Sequence, residues 1–478
     1  MRITNTLTGK FEELSPSQEG VVNIYVCGVT PYADAHVGHA MSLMVYDVLV
    51  RYLRWPGNKV GGYEVNFVSN YTDIDDKLIE RGYALKQDPI NLAEDQISKW
   101  EDEQKILGIN SITRRPRVTE EIESICDAIQ KILNNGFGYI TSTGNVYFRV
   151  RSQPDYGKLS RRFIDTAQED FVVEDEAEKE SPLDFALWKA KKPGEPSWDS
   201  RWGQGRPGWH IECSTMAQKY LGDTFDIHGG GIDLIFPHHE NEIAQAEAVT
   251  GKVFANIWMH NGMVLYQGEK MSKSLGNVVS VSEAIDRWGN EALRLFVLNS
   301  YYRGPNNLTD DAMAGSLKAL ARLRRALQVS STSGEAIGVQ KVREQFVEVM
   351  EDDLSTAKAL AILFDLARDI NRGSDEGYDV SEAQELLNEL LNVLGLDVLK
   401  SVESLGEIDH TSLVELACMH GLEVKDLTSE DIVLALINLR ADARRSRNYS
   451  LADEIRDQLQ LQRIELEDAA QETKWSVI

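Results

Sequence analysis

The chain has 478 residues, enough for about two to four domains and for a core that needs no disulfide staples. A formal charge of −26 excludes a globally basic nucleic-acid binder, because phosphates are repelled by an acidic surface; any nucleic-acid contact must use local basic clusters. Four scattered cysteines, Cys27, Cys126, Cys213 and Cys418, are too few for a disulfide framework and fit a reduced compartment.

The start, MRITNTLTGKFEEL, lacks the apolar run of a signal peptide, and no stretch is long and apolar enough to span a bilayer. A cytoplasmic protein with no membrane partner is expected. Next, VVNIYVC (21–27) reads as a buried strand. The turn-rich GVTPYADAHVG leads into HAMSLMVYDVLVRYLRW, which has helical periodicity and stops at Pro56. YEVNFVSNYTDID is a second strand. Strand, loop, helix, strand opens a βαβ unit and implies a parallel sheet.

From about 90 to 205 the texture changes: two helical runs, the strand-like NVYFRV and an acid-rich segment from Glu169 to Glu180 read as an insertion. Cys126, in the helical run IESICDAIQKIL, and Cys418, in SLVELACMHGL, are expected as small core residues. The α/β pattern resumes with the helix GWHIECSTMAQKYLG, the strand and glycine loop TFDIHGGGIDLIF, and the helix HHENEIAQAEAVTG. The strands FANIWMHNGMVLY and the loop QGEKMSKSLGN follow.

Beyond about 305, runs such as SLKALARLRRALQ and TAKALAILFDLARDINRG carry apolar residues three and four apart and predict an antiparallel helix bundle. A polar stretch near 400–412 separates off a last small module. The basic clusters lie at Arg322, Arg324 and Arg325, at Arg444, Arg445 and Arg447, and at Lys158, Arg161 and Arg162.

Chemistry concentrates in three places. His36-Val37-Gly38-His39 follows a strand and opens a helix, where unpaired N–H groups and the positive end of the dipole suit phosphate. Glycine there allows close approach, and two imidazoles can donate to a phosphoryl group as charge develops. Lys270-Met271-Ser272-Lys273-Ser274 lies in a loop far downstream, with two lysines suited to a polyphosphate. Together the pair resembles the two signature motifs of class I aminoacyl-tRNA synthetases. The third place holds Cys27, Cys213 and the run PHHENE, with His238, His239, Glu240 and Glu242. Cys, His and Glu are sensible zinc ligands. On a helix His238 or His239 could share a face with Glu242, and spacing does not choose between them. Spacing alone favours two buried cysteines, since these are not the close pairs of structural zinc sites.

YVCGVTPY…HVGH, NYTDIDDK, DFALWK, GRPGWHIECS, FDIHGGGIDLIFPHHENEIAQ and KMSKSLGN, in that order, look like the cysteinyl-tRNA synthetase family. The resemblance covers the catalytic half closely and extends more loosely through FVEVMEDDLSTAKAL to LADEIRDQL…IELEDAAQETKW. The tail ETKWSVI departs from the family's usual basic end, and WPGNKVGGYEV is slightly longer than usual.

The fold implied is α/β: a Rossmann-like parallel-sheet class I catalytic domain at 1–305 with an inserted subdomain, a tRNA-binding α-helical bundle at 306–400, and a small C-terminal domain at 413–478 for the anticodon end. The reaction implied joins L-cysteine to ATP and then to the 3′-terminal adenosine of tRNA(Cys), in a monomer. By resemblance one Zn2+ is held by Cys27, Cys213, His238 and Glu242, and Mg2+ accompanies ATP. His36, His39, Lys270 and Lys273 are the expected catalytic groups. ATP would rest on His36, Gly38, His39, Gly229, Gly230, Gly231 and Lys273. Gly28, Thr72, Trp209 and His228 would surround the amino acid. A mycothiol-pathway ligase passing cysteine to an amino sugar is the alternative, weakened by about 170 residues following the α/β region.

Overall fold

The computed structural model describes residues 1–162, 178–271, 276–399, 410–422, 424, 427–462, 464–468 and 473–477. Lys273 and most of the acid-rich segment lie outside them.

The chain opens with a hairpin, β1 (Arg2–Asn5) and β2 (Lys10–Glu13). β3 (Val21–Val29) is apolar along Val22, Ile24, Tyr25 and Val26, all buried, as a parallel strand covered on both faces requires. The helix α1 (Val37–Arg54) is capped by His36 and is buried nearly all round. It ends at Trp55, held extended before Pro56. β4 (Glu64–Tyr71) follows and pairs parallel with β3.

The insertion then leaves the sheet. It comprises α2 (Asp76–Leu85), α3 (Pro89–Ile106), α4 (Ile122–Asn134) and the antiparallel strands β5 (Gly138–Ile140), β6 (Val146–Phe148), β7 (Phe185–Ala190) and β8 (Gly205–Pro207). After it come α5 (Trp209–Leu221), β9 (Phe225–Gly231), α6 (Glu240–Thr250) and β10 (Ala255–Asn261). The parallel sheet runs β10-β9-β3-β4. One core joins Tyr25 and Trp258 of this sheet to Ile129, Phe148 and Trp188 of the insertion.

A small sheet of β11 (Val264–Tyr266), β12 (Glu269–Lys270) and β13 (Asn306–Leu308) carries the lysine loop, and α7 (Val281–Trp288) and α8 (Asn290–Leu298) follow that loop. The helices α9 (Asp310–Gln328), α10 (Gln340–Glu351), α11 (Thr356–Glu376), α12 (Ser381–Val393), α13 (His410–Met419), α14 (Ser429–Arg445) and α15 (Tyr449–Leu461) follow, then the hairpin β14 (Ile464–Asp468) and β15 (Thr473–Val477).

The chain forms two compact units. The first is Met1–Ala312, Val339–Leu363 and Val393–Gly395; the second is Met313–Gly338, Phe364–Asn392 and Leu396–Ile478. Among the described residues no helix is long and apolar enough to cross a membrane.

One expectation needs correction. Cys126 is buried, but Cys418 is exposed: α13 buries Leu413, Leu416 and Ala417, and the next position turns about 100° away from that face. Within the basic cluster at 322–325, Arg324 is buried and donates from Nε to the Val398 carbonyl at 3.3 Å.

Candidate functional site

A cleft of about 380 Å³ opens along the carboxyl ends of the parallel strands. The end of β3 brings Cys27 and Gly28 to its floor, and the start of α1 brings His36, Gly38 and His39 to its wall. Beneath it four donors from separate elements meet. Cys27, Cys213, His238 and Glu242 place one ligand atom each within 4.8 Å of one another. Cys27 Sγ donates to Glu242 Oε1 at 3.1 Å, and His238 Nε2 lies 2.9 Å from the same oxygen.

The electrostatics divide these groups. Burial pushes the Cys27 thiol up, while the hydrogen bond from Cys27 holds Cys213 below its ordinary value. Burial opposes charge on Glu242, but His228 and His238 outweigh it and keep the carboxyl well below its usual range. Two thiols, an imidazole and a carboxylate at contact distance are compatible with zinc, whose borderline-soft character suits sulfur and nitrogen donors.

Spacing left His238 and His239 as alternatives, and both rings reach the cluster. A second group of donors, Cys27, His228, His239 and Glu242, meets the same proximity. His239 Nε2 lies 4.0 Å from Glu242 Oε1 and has no hydrogen-bond partner, while its Nδ1 meets His260 Nε2 at 2.8 Å. His238 Nδ1 meets His210 Nδ1 at 2.9 Å, which turns Nε2 toward Glu242.

The histidines of the helix start cap one another. His36 Nδ1 accepts from Gly38 N at 3.2 Å, His39 Nδ1 accepts from His36 N at 3.3 Å, and the rings stack with centroids 3.8 Å apart. Both rings therefore accept at Nδ1, which keeps the proton of each neutral ring on Nε2, a donor. A side chain at Gly38 would come within 2.9 Å of the His36 ring. Val37 N donates to Val279 O and Val281 N to Ala35 O, tying the helix start to the far side of the lysine loop. Lys270, at the end of β12, lines the cleft with Met271.

The other predicted residues divide. Trp209 lines the cleft and stacks on His238, centroids 4.4 Å apart. Gly28 lines it too, donating to Asn70 Oδ1 at 3.0 Å. Thr72 is buried, its hydroxyl receiving Asn70 Nδ2 at 3.3 Å. His228 is fully buried, stacked on Trp258. Of the three glycines only Gly231 lines the cleft; a Cβ at Gly229 would strike Tyr46, and one at Gly230 would strike His239.

Sequence reasoning missed Asn70, whose Oδ1 also receives the Tyr25 hydroxyl at 3.1 Å and lies 3.6 Å from Cys213 Sγ. It also missed His210 and His260, which orient the two cluster histidines. For Asn70 and His210 the signal was present, since Asn70 opens NYTDIDDK and His210 lies in GWHIECS.

Residues 13–318 match the family model described as the class I (C) catalytic domain of tRNA synthetases, and residues 345–399 match a DALR domain. With a parallel sheet opening at its carboxyl edge onto this cleft, the class is defined: a class I aminoacyl-tRNA synthetase, an enzyme that takes ATP, an amino acid and tRNA. The fold agrees with the Mycobacterium tuberculosis methionyl-tRNA synthetase in complex with methionyl-adenylate, at TM-score 0.56 and 16% identity over 79% of this chain and 90% of that one. Along the sequence, the chain is 44% identical over 481 residues to the cysteine–tRNA ligase of Dehalococcoides mccartyi, covering 100% of this chain and 99% of that one. It is 43% identical over 488 residues to that of Thermotoga maritima, covering 100% of each. The chain belongs to the cysteine–tRNA ligase family, and agreement over the full length does not favour the amino-sugar alternative.

Proposed function

We propose that this chain activates L-cysteine with ATP, releasing pyrophosphate, and passes the cysteinyl group to the 3′-terminal adenosine of tRNA(Cys). The observation that carries the reading is the meeting of Cys27, Cys213, His238 and Glu242 beside the cleft floor. These four would hold one zinc ion, which supplies a soft Lewis acid that prefers a thiolate to a serine hydroxyl. Such a preference supplies discrimination that shape alone does not, without a separate editing site.

The chain's own groups do the remaining work by placement and charge. Trp209 and Gly28 border the amino acid, and His228 and Thr72 hold the groups that border it. Nε2–H of His36 and of His39 donates to the phosphoryl oxygens as the cysteine carboxylate attacks. Lys270 and Lys273 neutralise the departing pyrophosphate, with Mg2+ on the phosphates of ATP. Gly38 and Gly231 admit the nucleotide. The helical region at 306–400 and the module at 413–478 contact the tRNA, and the enzyme works as a cytoplasmic monomer.

Pyrophosphate exchange into ATP, run with each of the twenty amino acids, should respond to cysteine alone. Cys213→Ser should lower zinc content, read by metal analysis, and weaken cysteine binding. Undiminished cysteine affinity in zinc-free protein would sink the metal's role in selection.

A further inference from the structure

The helix α1 does more than carry the histidine pair at its start. His39, Ser42 and Tyr46 follow one another at steps of three and four residues, so they share one face of the helix. His39 and Ser42 line the cleft, and Tyr46, one turn further on, is fully buried. Ser42 and Tyr46 both reach the carboxyl ends of the neighbouring parallel strands.

The Tyr46 hydroxyl bridges β9 and β10. It donates to the Met259 carbonyl of β10 at 2.7 Å and receives the Gly230 N–H of β9 at 2.7 Å, with the Gly230 carbonyl 3.2 Å away. A hydroxyl can donate and accept at once, which phenylalanine cannot. The Tyr46 ring fills the space beside Gly229, where a Cβ would lie 2.5 Å from a ring carbon. Ser42 Oγ donates to Asn261 Oδ1 at 2.9 Å, and Asn261 Nδ2 donates in turn to the Gly262 carbonyl at 3.0 Å. Gly231, directly after Gly230, lines the cleft, as do Asn261 and Gly262. The groups that α1 holds are thus the strand ends that form the cleft wall.

Building on the ligase reading, we propose that Tyr46 and Ser42 are positioning residues for ATP: they fix the ends of β9 and β10 against which the nucleoside rests. The same helix bears the phosphoryl donors in its first turn. His39 and Tyr46 are seven residues apart, roughly 10 Å of helix, so α1 is a rigid spacer between those donors and the nucleoside floor. The zinc cluster hangs on other elements: Cys27 on β3, Cys213 on α5, Glu242 on α6 and His238 on the turn before it. Loosening the β9 and β10 ends should therefore weaken ATP and spare cysteine.

The test compares full-length Tyr46→Phe and Ser42→Ala with wild type in cysteine-dependent pyrophosphate exchange. KM for ATP should rise about tenfold for Tyr46→Phe, which loses two hydrogen bonds, and about threefold for Ser42→Ala, which loses one. The kcat should stay within about twofold, the pattern of lost ground-state binding. KM for cysteine and zinc content should keep their wild-type values, which a general loosening of the fold would not spare. Calorimetry with a non-hydrolysable ATP analogue should show the same loss of affinity without turnover. ATP affinity unchanged in either variant overturns that residue's assignment, and KM for ATP and cysteine rising together overturns both. If Tyr46→Phe does not fold, Ser42→Ala decides by the same criterion. Wild-type exchange driven by a different amino acid would defeat the cysteine reading while leaving the ATP comparison intact.

Discussion

His228 Nε2 lies 2.9 Å from Glu242 Oε2, with neither side chain open to solvent. The opposite carboxylate oxygen faces Cys27 and His238, so His228 holds Glu242 from behind while its other oxygen meets the donor cluster. His228→Phe keeps a ring to stack on Trp258 but removes the donor. Loss of a hydrogen bond to a metal-binding carboxylate weakens metal binding by about 10- to 100-fold. Competition with a chromophoric chelator should show that drop, together with a higher KM for cysteine. Wild-type zinc affinity in the variant would show that Glu242 is oriented by other groups.

The sequence disclosed this arrangement unevenly. β3 was legible because burial on both faces demands an unbroken apolar run, and α1 because Pro56 ends it. The pairing of His36 with His39 was legible because the capping that joins them spans only a few consecutive residues. The donor cluster was not readable from spacing, since Cys27 on β3 and Cys213 on α5 are brought together only by the packing of that helix against the sheet. Gly229 and Gly230 show a further limit. A glycine admits whatever lies beside it, and here the neighbours are Tyr46 and His239. Asn70 serves Tyr25, Gly28 and Thr72 at once, a role that exists only after folding.

Gly28 is a site where space, not backbone angle, forbids a side chain. A Cβ there would lie 1.6 Å from the Asn70 carbonyl oxygen, so β3 and β4 would have to part beside the cleft. Gly28→Ala should cost about 3 kcal/mol or more and abolish cysteine-dependent exchange. Gly61→Ala is the contrast: its φ of 81° is strained for alanine, but open space surrounds it. That variant should lose only about 1–2 kcal/mol and keep its activity. Urea unfolding beside exchange assays checks both.

Asp353 concentrates four hydrogen bonds on one buried carboxylate. Thr4 donates through N and Oγ1, each at 2.7 Å, and the hydroxyls of Tyr301 and Tyr302 donate at 2.5 and 2.9 Å. Its φ is 58°, a left-handed conformation that glycine and asparagine tolerate better than alanine. The expected stability order is wild type, then Asp353→Asn, then Asp353→Gly, then Asp353→Ala. The last should lose about 3 kcal/mol or more, from orphaned donors and strain together. Equal loss in Gly and Ala variants would remove backbone strain from the account.

Asp47 and Arg294, 247 residues apart, form a buried ion pair at 2.9 Å, and Arg51 joins the same carboxylate oxygen at 2.8 Å. Burial alone would raise the Asp47 carboxyl, but Arg294 and Arg51 outweigh it and leave it below its ordinary value. A carboxylate whose folded pKa is depressed contributes stability above its unfolded pKa, near 4, and that contribution is lost as pH falls through the lower folded value. Asp47→Asn removes the charge and strands the Arg294 guanidinium, which also donates to the Leu107 carbonyl at 2.9 Å. At pH 7 the variant should be about 3–5 kcal/mol less stable than wild type. Denaturant midpoints followed from pH 7 downward should keep that gap until about pH 4 and then converge. A gap that stays constant through the acid range would mean that the carboxylate's shape, and not its charge, holds α1 to α8.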